Sequence, residues 1–167
     1  MSFDFEVFYS ITKNWSLYFG NSVFNIEDES IFDGQRVVRD RWSNYSTLNN
    51  DFSFLKDNSL NIDFSLTYVS SRLQGFRVVD DRLFSNVSIS KTILKGKGVL
   101  SLAISDLFNE QDFNVTTQFL DQDNSNFTDI DNRTIKFGFR YRFGNTKLET
   151  NERAKSFEES TRLERSN

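Results

Sequence analysis

The sequence predicts an all-β protein, an antiparallel up-and-down transmembrane β-barrel with seven or eight strands. Three observations predict this fold class. Apolar and polar residues alternate with period two, short and long connections alternate along the chain, and aromatic residues lie near strand ends. The 167 residues include 19 Phe, with 20 basic and 24 acidic groups. Mean hydropathy is negative because the apolar residues are interleaved with polar ones.

The composition excludes several classes of function. The chain contains no His, Cys or Pro, so it has no serine–histidine triad, cysteine nucleophile, zinc finger or disulfide framework. A net charge of −4 disfavours a nucleic-acid partner, because such affinity depends on cations paired with phosphates. No stretch reaches the roughly 18–20 consecutive apolar residues of a spanning helix. We expect neither an enzyme nor a bound cofactor.

Seven strands account for most of the chain, and two of them are clear. In 59–68 every second residue is apolar and the others are Ser, Asn, Asp or Thr; the same alternation runs through 134–143. Weaker alternation places the other strands at 3–10, 15–26, 41–55, 82–92 and 99–108. The segment 113–120 either continues the last of these beyond a bulge or forms an eighth strand. A tilted strand of about 10 residues spans the apolar band of ~25 Å that such barrels need.

Short and long connections alternate between these strands. The short ones lie near 11–14, 56–58 and 94–98. The long polar ones lie near 27–40, 70–81 and 110–132. Tight turns at one end and long loops at the other are typical of an outer-membrane barrel, so we expect the chain in the cell outer membrane.

The alternation also assigns the two faces of the expected barrel. The apolar face contacts outer-membrane lipid, and the polar face lines a wet lumen. Aromatic residues at strand ends fit the girdles of the two membrane interfaces; they are Tyr9, Trp15, Trp42, Tyr68 and Tyr141. The candidate lumen-facing residues are Asn61, Asp63, Lys136, Arg140 and Arg142.

Period two leaves two other interpretations open. A soluble β-sandwich that acts as a binding module shows the same alternation, with its apolar face turned inward. A self-contained small outer-membrane barrel with a structural or adhesive role shows it with the apolar face turned to lipid. The regular alternation of loop lengths favours a membrane barrel over the sandwich.

We divide the chain into barrel strands at 1–144 and a charged periplasmic tail at 145–167, which is helical or disordered. A complete bacterial barrel in one chain has an even number of strands. Seven strands that end in the periplasm leave the N-terminus at the outer rim, and the alternation begins at Phe3 without a leader. We therefore expect the chain to be the C-terminal part of a larger barrel.

The last strand carries a pattern that predicts a step in assembly. Lys136, Gly138, Tyr141 and Phe143 match the polar-x-Gly-x-x-apolar-x-apolar signal of outer-membrane proteins. An unpaired final strand can be held by another sheet edge before a barrel closes, so the expected partner is the barrel-assembly machinery. Any amphipathic strand with one Gly also matches by chance, but the position near the C-terminus favours the signal.

Two segments carry a resemblance to a known family. The segment 100–109 ends in Ser-Asp-Leu-Phe-Asn, and Tyr-Arg-Phe-Gly follows at 141–144. Together they resemble TonB-dependent receptors, most closely the outer-membrane β-barrel family abundant in Bacteroidota. The resemblance implies a wall segment of an energy-coupled uptake receptor with about 22 strands and a plugged lumen. The plug and the upstream strands would be partners, because neither is present in this sequence.

A short internal echo supplies candidate residues for an outer rim. The segment 34–42 resembles 75–83, and the simpler interpretation is a recurrent loop-to-strand entry in which Arg pairs with a neighbouring Asp. The alternative is a cationic rim that touches lipopolysaccharide phosphates, because Arg binds phosphate bidentately. Its members are Arg36, Arg39, Arg77 and Arg82.

An acidic segment invites a calcium interpretation, which we do not favour. Asp121, Asp123 and Ser125 follow EF-hand spacing. Asn126 and Asn132, however, stand where that loop needs Gly and Glu. We expect a solvated acidic loop and no metal site.

Overall fold

The computed structural model describes residues 1–55, 57–119 and 122–144. The predicted tail at 145–167 lies outside these residues. Within them the chain forms eleven strands and one short 3-10 turn at Leu94–Gly96. The strands are β1 Ser2–Thr12, β2 Trp15–Phe32, β3 Gln35–Phe54, β4 Leu60–Val69, β5 Arg72–Gln74, β6 Arg77–Val79, β7 Arg82–Ile93, β8 Gly98–Ser105, β9 Phe113–Phe119, β10 Gln122–Thr128 and β11 Thr134–Tyr141. None of the helical structure in these ranges is long and apolar enough to cross a membrane.

The strands form two antiparallel sheets. Seven strands form the wall sheet, in the order β1-β2-β3-β4-β7-β8-β11. Four strands form the cap sheet, in the order β10-β9-β6-β5. The all-β antiparallel prediction is confirmed, and the seven predicted strands are those of the wall. The wall sheet is open within the described residues, because β1 and β11 each pair on one side only.

The long connections differ from the prediction. The prediction of a long loop at 27–40 is wrong, because β2 and β3 continue through this segment to a two-residue turn at Asp33 and Gly34. Both turn residues have positive φ, 48° and 75°, as the tight hairpin turns that match strand twist require. Backbone pairing continues there through runs of consecutive charged residues, such as Glu27, Asp28 and Glu29, so the hydrogen-bonded ladder extends beyond the apolar band.

The other two long connections fold into the cap sheet. The connection at 70–81 contains the β5–β6 hairpin, and that at 110–132 contains β9 and β10. The option that 113–120 continues the preceding wall strand is wrong, because β9 pairs with β6 and β10 in a separate sheet. Such short strands carry too few alternating residues for a sequence pattern to separate them from loops.

The register of the wall gathers the apolar residues on one face. Residues directly opposite each other on paired strands share a face. One such row crosses all seven strands through Tyr9, Leu17, Asn50, Phe64, Val87, Ile104 and Ile135. Six of these seven residues are apolar or aromatic. We call the face that contains this row the apolar face and the opposite one the polar face.

The apolar face is not covered by protein. Phe137 and Phe139 are 74% and 57% exposed, and Leu60, Ile62 and Phe64 are only half-buried. Among the described residues the buried hydrophobic side chains are Val69, Leu73 and Val79, which lie at the loop end of the wall or in the cap. A soluble sandwich would bury the apolar face of its strands, whereas a band of exposed apolar residues fits contact with lipid.

The apolar band is inclined to the hydrogen-bonded rows. Tyr9 and Tyr141 both lie on the apolar face near the short-turn end of the wall. The row that starts at Tyr9 reaches the last strand at Ile135, six residues before Tyr141. Six strand steps therefore shift the band by one residue per strand, which at ~3.3 Å per residue and ~4.8 Å between strands corresponds to a tilt of ~35°. Strands in closed barrels have this inclination.

The five predicted interfacial aromatics all lie on the apolar face, in two groups. Tyr9, Trp15 and Tyr141 lie near the short turns, while Trp42 and Tyr68 lie toward the long connections. Placement at both edges of the band is the arrangement of aromatic girdles.

Trp15 also provides a hydrogen-bond donor for a polar side chain on the apolar face. Its indole Nε1 donates a hydrogen bond of 3.2 Å to Oδ1 of Asn50. Its ring stacks on Phe52, with 5.4 Å between centroids. The amide of Asn50 is thereby shielded from the apolar surroundings, where an unpaired polar group is costly.

Candidate functional site

The polar face of the wall is the concave side. Two concavities open on it, with volumes of about 400 Å³ and 310 Å³. The first is bordered by Tyr18, Asp51 and Asp63, and the second by Asp4 and Glu6 together with Tyr18. A curved sheet with polar residues inside and apolar residues outside has the arrangement of a barrel wall around a wet interior.

Short polar side chains link neighbouring strands across this face. Ser88 Oγ donates to Asp63 Oδ2 at 2.6 Å, and Ser22 Oγ donates to Asp4 Oδ1 at 2.5 Å. Tyr18 packs its ring over Gly20, whose missing Cβ leaves room for it; an added Cβ would lie 2.8 Å from the Tyr18 hydroxyl. Serine hydroxyls and carboxylate oxygens of this kind can bind water and polar solutes.

The structure places four of the five lumen candidates on the polar face. Asn61 and Asp63 lie there on β4, and Lys136 and Arg140 lie there on β11. Arg142 follows the end of β11 and donates its backbone N–H to the Lys97 carbonyl at 2.8 Å. That these side chains line a water-filled lumen stays a prediction.

The register also shows a separation of charge that sequence reasoning missed. In the part of the polar face that backs the apolar band, β1, β3 and β4 carry acidic side chains, whereas β11 carries basic ones. The acidic residues are Asp4, Glu6, Asp51 and Asp63, and the basic ones are Lys136 and Arg140. The alternation within each strand already gave the face of each residue. Only the pairing order shows that the basic residues lie on one edge strand, whereas the acidic ones lie between the other edge and the middle strand of the sheet.

The cap sheet lies against the polar face at the end of the wall with the long connections. Arg39 Nη1 donates to two cap carbonyls, that of Phe76 at 3.0 Å and that of Gln118 at 3.2 Å. Arg41 Nη1 donates to Ser71 Oγ at 2.9 Å. Since Arg39 and Arg41 both belong to the polar face of β3, the cap lies on the polar-face side of that end.

Arg82 makes a further contact between wall and cap. It belongs to the polar face of β7, and its guanidinium carbon lies 4.5 Å from the ring centroid of Phe113 in the cap. The same group lies 5.6 Å from the ring centroid of Phe84. A partly buried guanidinium over two rings is a favourable cation–π arrangement.

The four predicted rim arginines do not form one surface. Arg36 and Arg39 point to opposite faces of β3, Arg77 lies exposed on the cap strand β6, and Arg82 is held between rings. Arg36 makes a bidentate pair with Glu29, at 2.6 and 2.8 Å, which raises the pKa of Arg36. The expected pairing of Arg36 with a neighbouring Asp is therefore wrong.

The similarity between segments 34–42 and 75–83 has a structural cause. Gly34 and Gly75 have φ of 75° and 61° and both stand at hairpin tips. Such left-handed backbone favours glycine because it has no Cβ. Contact of any of these arginines with lipopolysaccharide stays a prediction.

The predicted assembly strand is the edge strand β11. Lys136 and Gly138 lie on its polar face, and Tyr141 lies on its apolar face. The ring of Phe143 meets that of Tyr141 edge-on, with 4.6 Å between the ring centroids. A Cβ added at Gly138 would lie 2.5 Å from Ser101 Oγ and 3.9 Å from Ser101 Cβ, so a larger residue there requires the Ser101 hydroxyl to rotate away. The unpaired edge is available for recognition, which stays a prediction.

The Ser-Asp-Leu-Phe-Asn segment forms a bulge between β8 and β7. Asn86 pairs with Ser105, and Leu83 pairs with Glu110. Between these two pairs β7 covers three residues, whereas the segment that follows β8 covers five. The buried Asp106 accepts the Glu110 N–H on Oδ1 at 3.2 Å. The motif therefore has a structural role, because it redirects the chain as it leaves the wall.

The acidic segment shows no metal-binding geometry in the part that the structure describes. Asp123 and Ser125 lie on the exposed strand β10, and Asp121 lies outside the described residues. No three His, Cys, Asp or Glu side chains in the described ranges come close enough to hold an ion.

An open antiparallel wall with an exposed apolar band, aromatic edges and a polar concave face defines the class of outer-membrane β-barrel proteins. A comparison with family models agrees. Residues 1–141 match the model described as the Outer membrane protein beta-barrel family. The chain belongs to this family, and its location is the outer membrane. Among curated proteins and among solved structures, nothing matches the chain.

Proposed function

We propose that the chain is a wall segment of an outer-membrane receptor or transporter that takes up a solute by energy coupling, as in TonB-dependent receptors. The observation that supports this proposal best is the cap, which lies over the polar face of the wall. Arg39 and Arg82 hold both cap hairpins over the polar face. A barrel that only anchors or stiffens a membrane has no need for a folded element at its mouth, whereas one that admits a solute selectively does.

The proposed partners follow from the surfaces. The apolar face contacts lipid, and the exposed Arg36–Glu29 tip of the β2–β3 hairpin reaches beyond the band toward lipopolysaccharide. The edge of β11 engages the barrel-assembly machinery, and a plug with a TonB-binding segment occupies the lumen. The proposal of a plug with a TonB-binding segment rests on the resemblance of the Ser-Asp-Leu-Phe-Asn and Tyr-Arg-Phe-Gly segments to those of TonB-dependent receptors.

The alternative of a self-contained small barrel receives less support. Closure of the seven wall strands alone requires β1 to pair with β11, and the wall is open between them in the described residues. The soluble sandwich alternative is wrong, because the chain belongs to an outer-membrane family and exposes its apolar face.

Uptake by intact cells tests the proposal. Cells with and without the gene are given iron chelates, cobalamin and neutral oligosaccharides, each with and without a protonophore. We expect at least one uptake rate to fall both on deletion of the gene and on addition of the protonophore. Gene-dependent uptake that persists with the protonophore would indicate a passive pore. Uptake of every solute at the same rate without the gene would contradict a transport role.

A further inference from the structure

The cap sheet carries a concavity of its own. Its volume is about 810 Å³, within the range of about 300–1,000 Å³ that is typical of small-ligand sites. Among the described residues its lining belongs to the cap, at 74–77 around the tip of the β5–β6 hairpin and at Thr117, Phe119 and 122–126 on β9 and β10. This concavity is therefore separate from the two polar concavities of the wall.

Polar side chains cross the whole cap on the face that borders this concavity. Residues opposite each other on paired strands share a face. One row on this face runs through all four strands, at Gln74, Arg77, Thr117 and Asn124. On β10 the same face carries an amide ladder, which consists of Gln122, Asn124 and Asn126. Its steps are ~6.8 Å apart because alternate residues of a strand share a face.

The polar side chains of this face are available to a ligand. Those of Gln74, Arg77 and the amide ladder are exposed, and none of them makes a hydrogen bond or an ion pair with another of the described residues. Amides of the wall differ, because Asn21 and Asn86 donate to serines on neighbouring strands at 2.7 and 3.3 Å. Since each amide has two N–H donors and a carbonyl acceptor, the cap presents unused donors and acceptors side by side.

Two aromatic rings border the same concavity. Phe76 and Phe119 have ring centroids 4.4 Å apart and planes inclined by 33°, and both residues are half-buried. Phe119 pairs with Gln122 and therefore lies on the face of the amide ladder. The concavity thus combines a small apolar surface with a larger polar one.

This combination restricts the chemistry of a ligand. Arg77 and Asp123 are the charged residues of the described lining, so a ligand rich in phosphate or carboxylate lacks the several cations that it needs. An apolar ligand would remove water from the amides without replacing its hydrogen bonds. A sugar has hydroxyls that both donate and accept, and its ring presents C–H groups that pack on aromatic rings. The steps of the amide ladder are comparable with the length of one sugar unit in a chain.

We propose that this face of the cap is a binding site for a neutral, linear oligosaccharide. Its sugar rings pack on Phe76 and Phe119, and its hydroxyls pair with the amide ladder, Gln74 and Arg77. The chain of sugars lies along β10. The inference deepens the proposed function by naming the class of solute, and it rests on that function for uptake, whereas binding by the cap is measured separately.

Calorimetric titration of the full-length protein tests the proposal. The protein is purified from the outer membrane in a detergent without a sugar headgroup, which would compete for the site. The neutral probes are maltohexaose, cellohexaose, xylohexaose and mannohexaose, and hexagalacturonate is the acidic counterpart. We expect at least one neutral probe to bind with a Kd of about 1 mM or tighter, and hexagalacturonate to bind at least about tenfold more weakly. Absence of binding by every neutral probe, or tighter binding of hexagalacturonate, would overturn the proposal.

Variants of the lining assign the binding to the cap. Asn124→Ala removes one step of the amide ladder and should raise Kd about two- to tenfold. Asn114→Ala is the matched control, because Asn114 lies on the opposite face of the neighbouring strand β9. Phe76→Leu keeps an apolar side chain beside Phe119 but removes the flat ring, so it should weaken binding by a similar factor. Phe76→Tyr should retain the affinity.

Hydrogen exchange in β6 and β9 shows whether the cap of each variant is folded. With a folded cap, equal affinities of Asn124→Ala and Asn114→Ala would overturn the site, and so would full affinity in Phe76→Leu. The outcome for transport is distinguishable. An oligosaccharide that binds to the cap but is not taken up by cells would support the site and contradict its role in uptake. Energy-coupled uptake of an iron chelate or cobalamin, with no binding of any neutral probe, would support transport and overturn the site.

Discussion

The wall sheet and the cap sheet are both built from antiparallel strands, yet they differ in whether their apolar side chains are covered by protein. In the wall, Phe137 and Phe139 on the apolar face are 74% and 57% exposed. At the cap, Leu73 and Val79 are 5% and 3% exposed. The difference shows that alternation records which residues share a face, and that the surrounding solvent decides which face is covered by protein.

A charge on the apolar face should break the wall most severely. Phe64→Lys places an ammonium group near the middle of the lipid-facing band of β4. We expect the free energy of unfolding in lipid vesicles to fall by about 2–4 kcal/mol. The matched change Ser65→Lys, on the polar face of the same strand, should cost less than about 1 kcal/mol. Denaturant titration of both variants measures this difference, and equal losses would mean that the two faces are not in different solvents.

Removal of the Arg39 side-chain charge should release the cap and leave the wall intact. Arg39→Gln loses hydrogen bonds from a guanidinium to the carbonyls of Phe76 and Gln118, each of about 1.5–3 kcal/mol. We expect faster hydrogen exchange in β6 and β9 with unchanged protection in β4. Arg36→Gln is the control, because the exposed pair with Glu29 contributes at most about 1 kcal/mol. Unchanged exchange in the cap of Arg39→Gln would show that other contacts hold it.

The close approach of β8 and β11 should respond modestly to one added methyl group. Gly138→Ala places a Cβ against Ser101 Oγ, the rotatable end of that side chain, and we expect a loss of about 0.5–1.5 kcal/mol in unfolding free energy from the displaced rotamer. Ser101→Ala removes that oxygen and leaves the Ser101 Cβ at an ordinary distance of 3.9 Å. The double variant should therefore recover most of the loss. A double variant as unstable as Gly138→Ala would mean that the contact with Ser101 is not the cause.

The smallest expected effect is a loss of stability at low pH in the turn between β3 and β4. A hydrogen bond from Ser59 holds the pKa of Asp57 below its ordinary value of 3.8. Because the pKa is lowered in the folded state, the stabilisation is present above about pH 4 and is lost as the pH falls through the folded pKa. We expect the protection of the Ser59 amide, the ratio of its intrinsic to its observed exchange rate, to fall below that pH as its hydrogen bond to Asp57 is lost. The variant Asp57→Asn should show no such step, and a step that survives in it would assign the effect to another group.

The strands of the wall could be predicted from the sequence because each is long enough to show period two several times. The facing of Asn61 and Lys136 followed from parity alone. The tip of the β2–β3 hairpin was misassigned because its residues, such as Glu29 and Arg36, are charged and show no period-two alternation. The strands are held there by backbone pairing and by the Arg36–Glu29 ion pair rather than by apolar burial.

The cap and the charge separation could not be predicted, for a different reason. The strands β5 and β6 have three residues each, which is too few for a periodic signal. The contact of Arg39 with Gln118 joins residues that are 79 positions apart, and nothing local in the sequence records it. The order of strands in a sheet, which separates Asp4 from Lys136, is likewise a non-local property.

Quenching of tryptophan fluorescence tests most directly whether the apolar face meets lipid. The chain contains two Trp, Trp15 and Trp42, which lie on the apolar face near opposite ends of the wall strands. In vesicles of brominated lipid, bromine near the headgroup end of the acyl chain should quench the fluorescence of both Trp residues strongly. Bromine at the bilayer midplane should quench it weakly, and acrylamide in the aqueous phase should have little effect. Full quenching by acrylamide with none by either lipid would contradict the account.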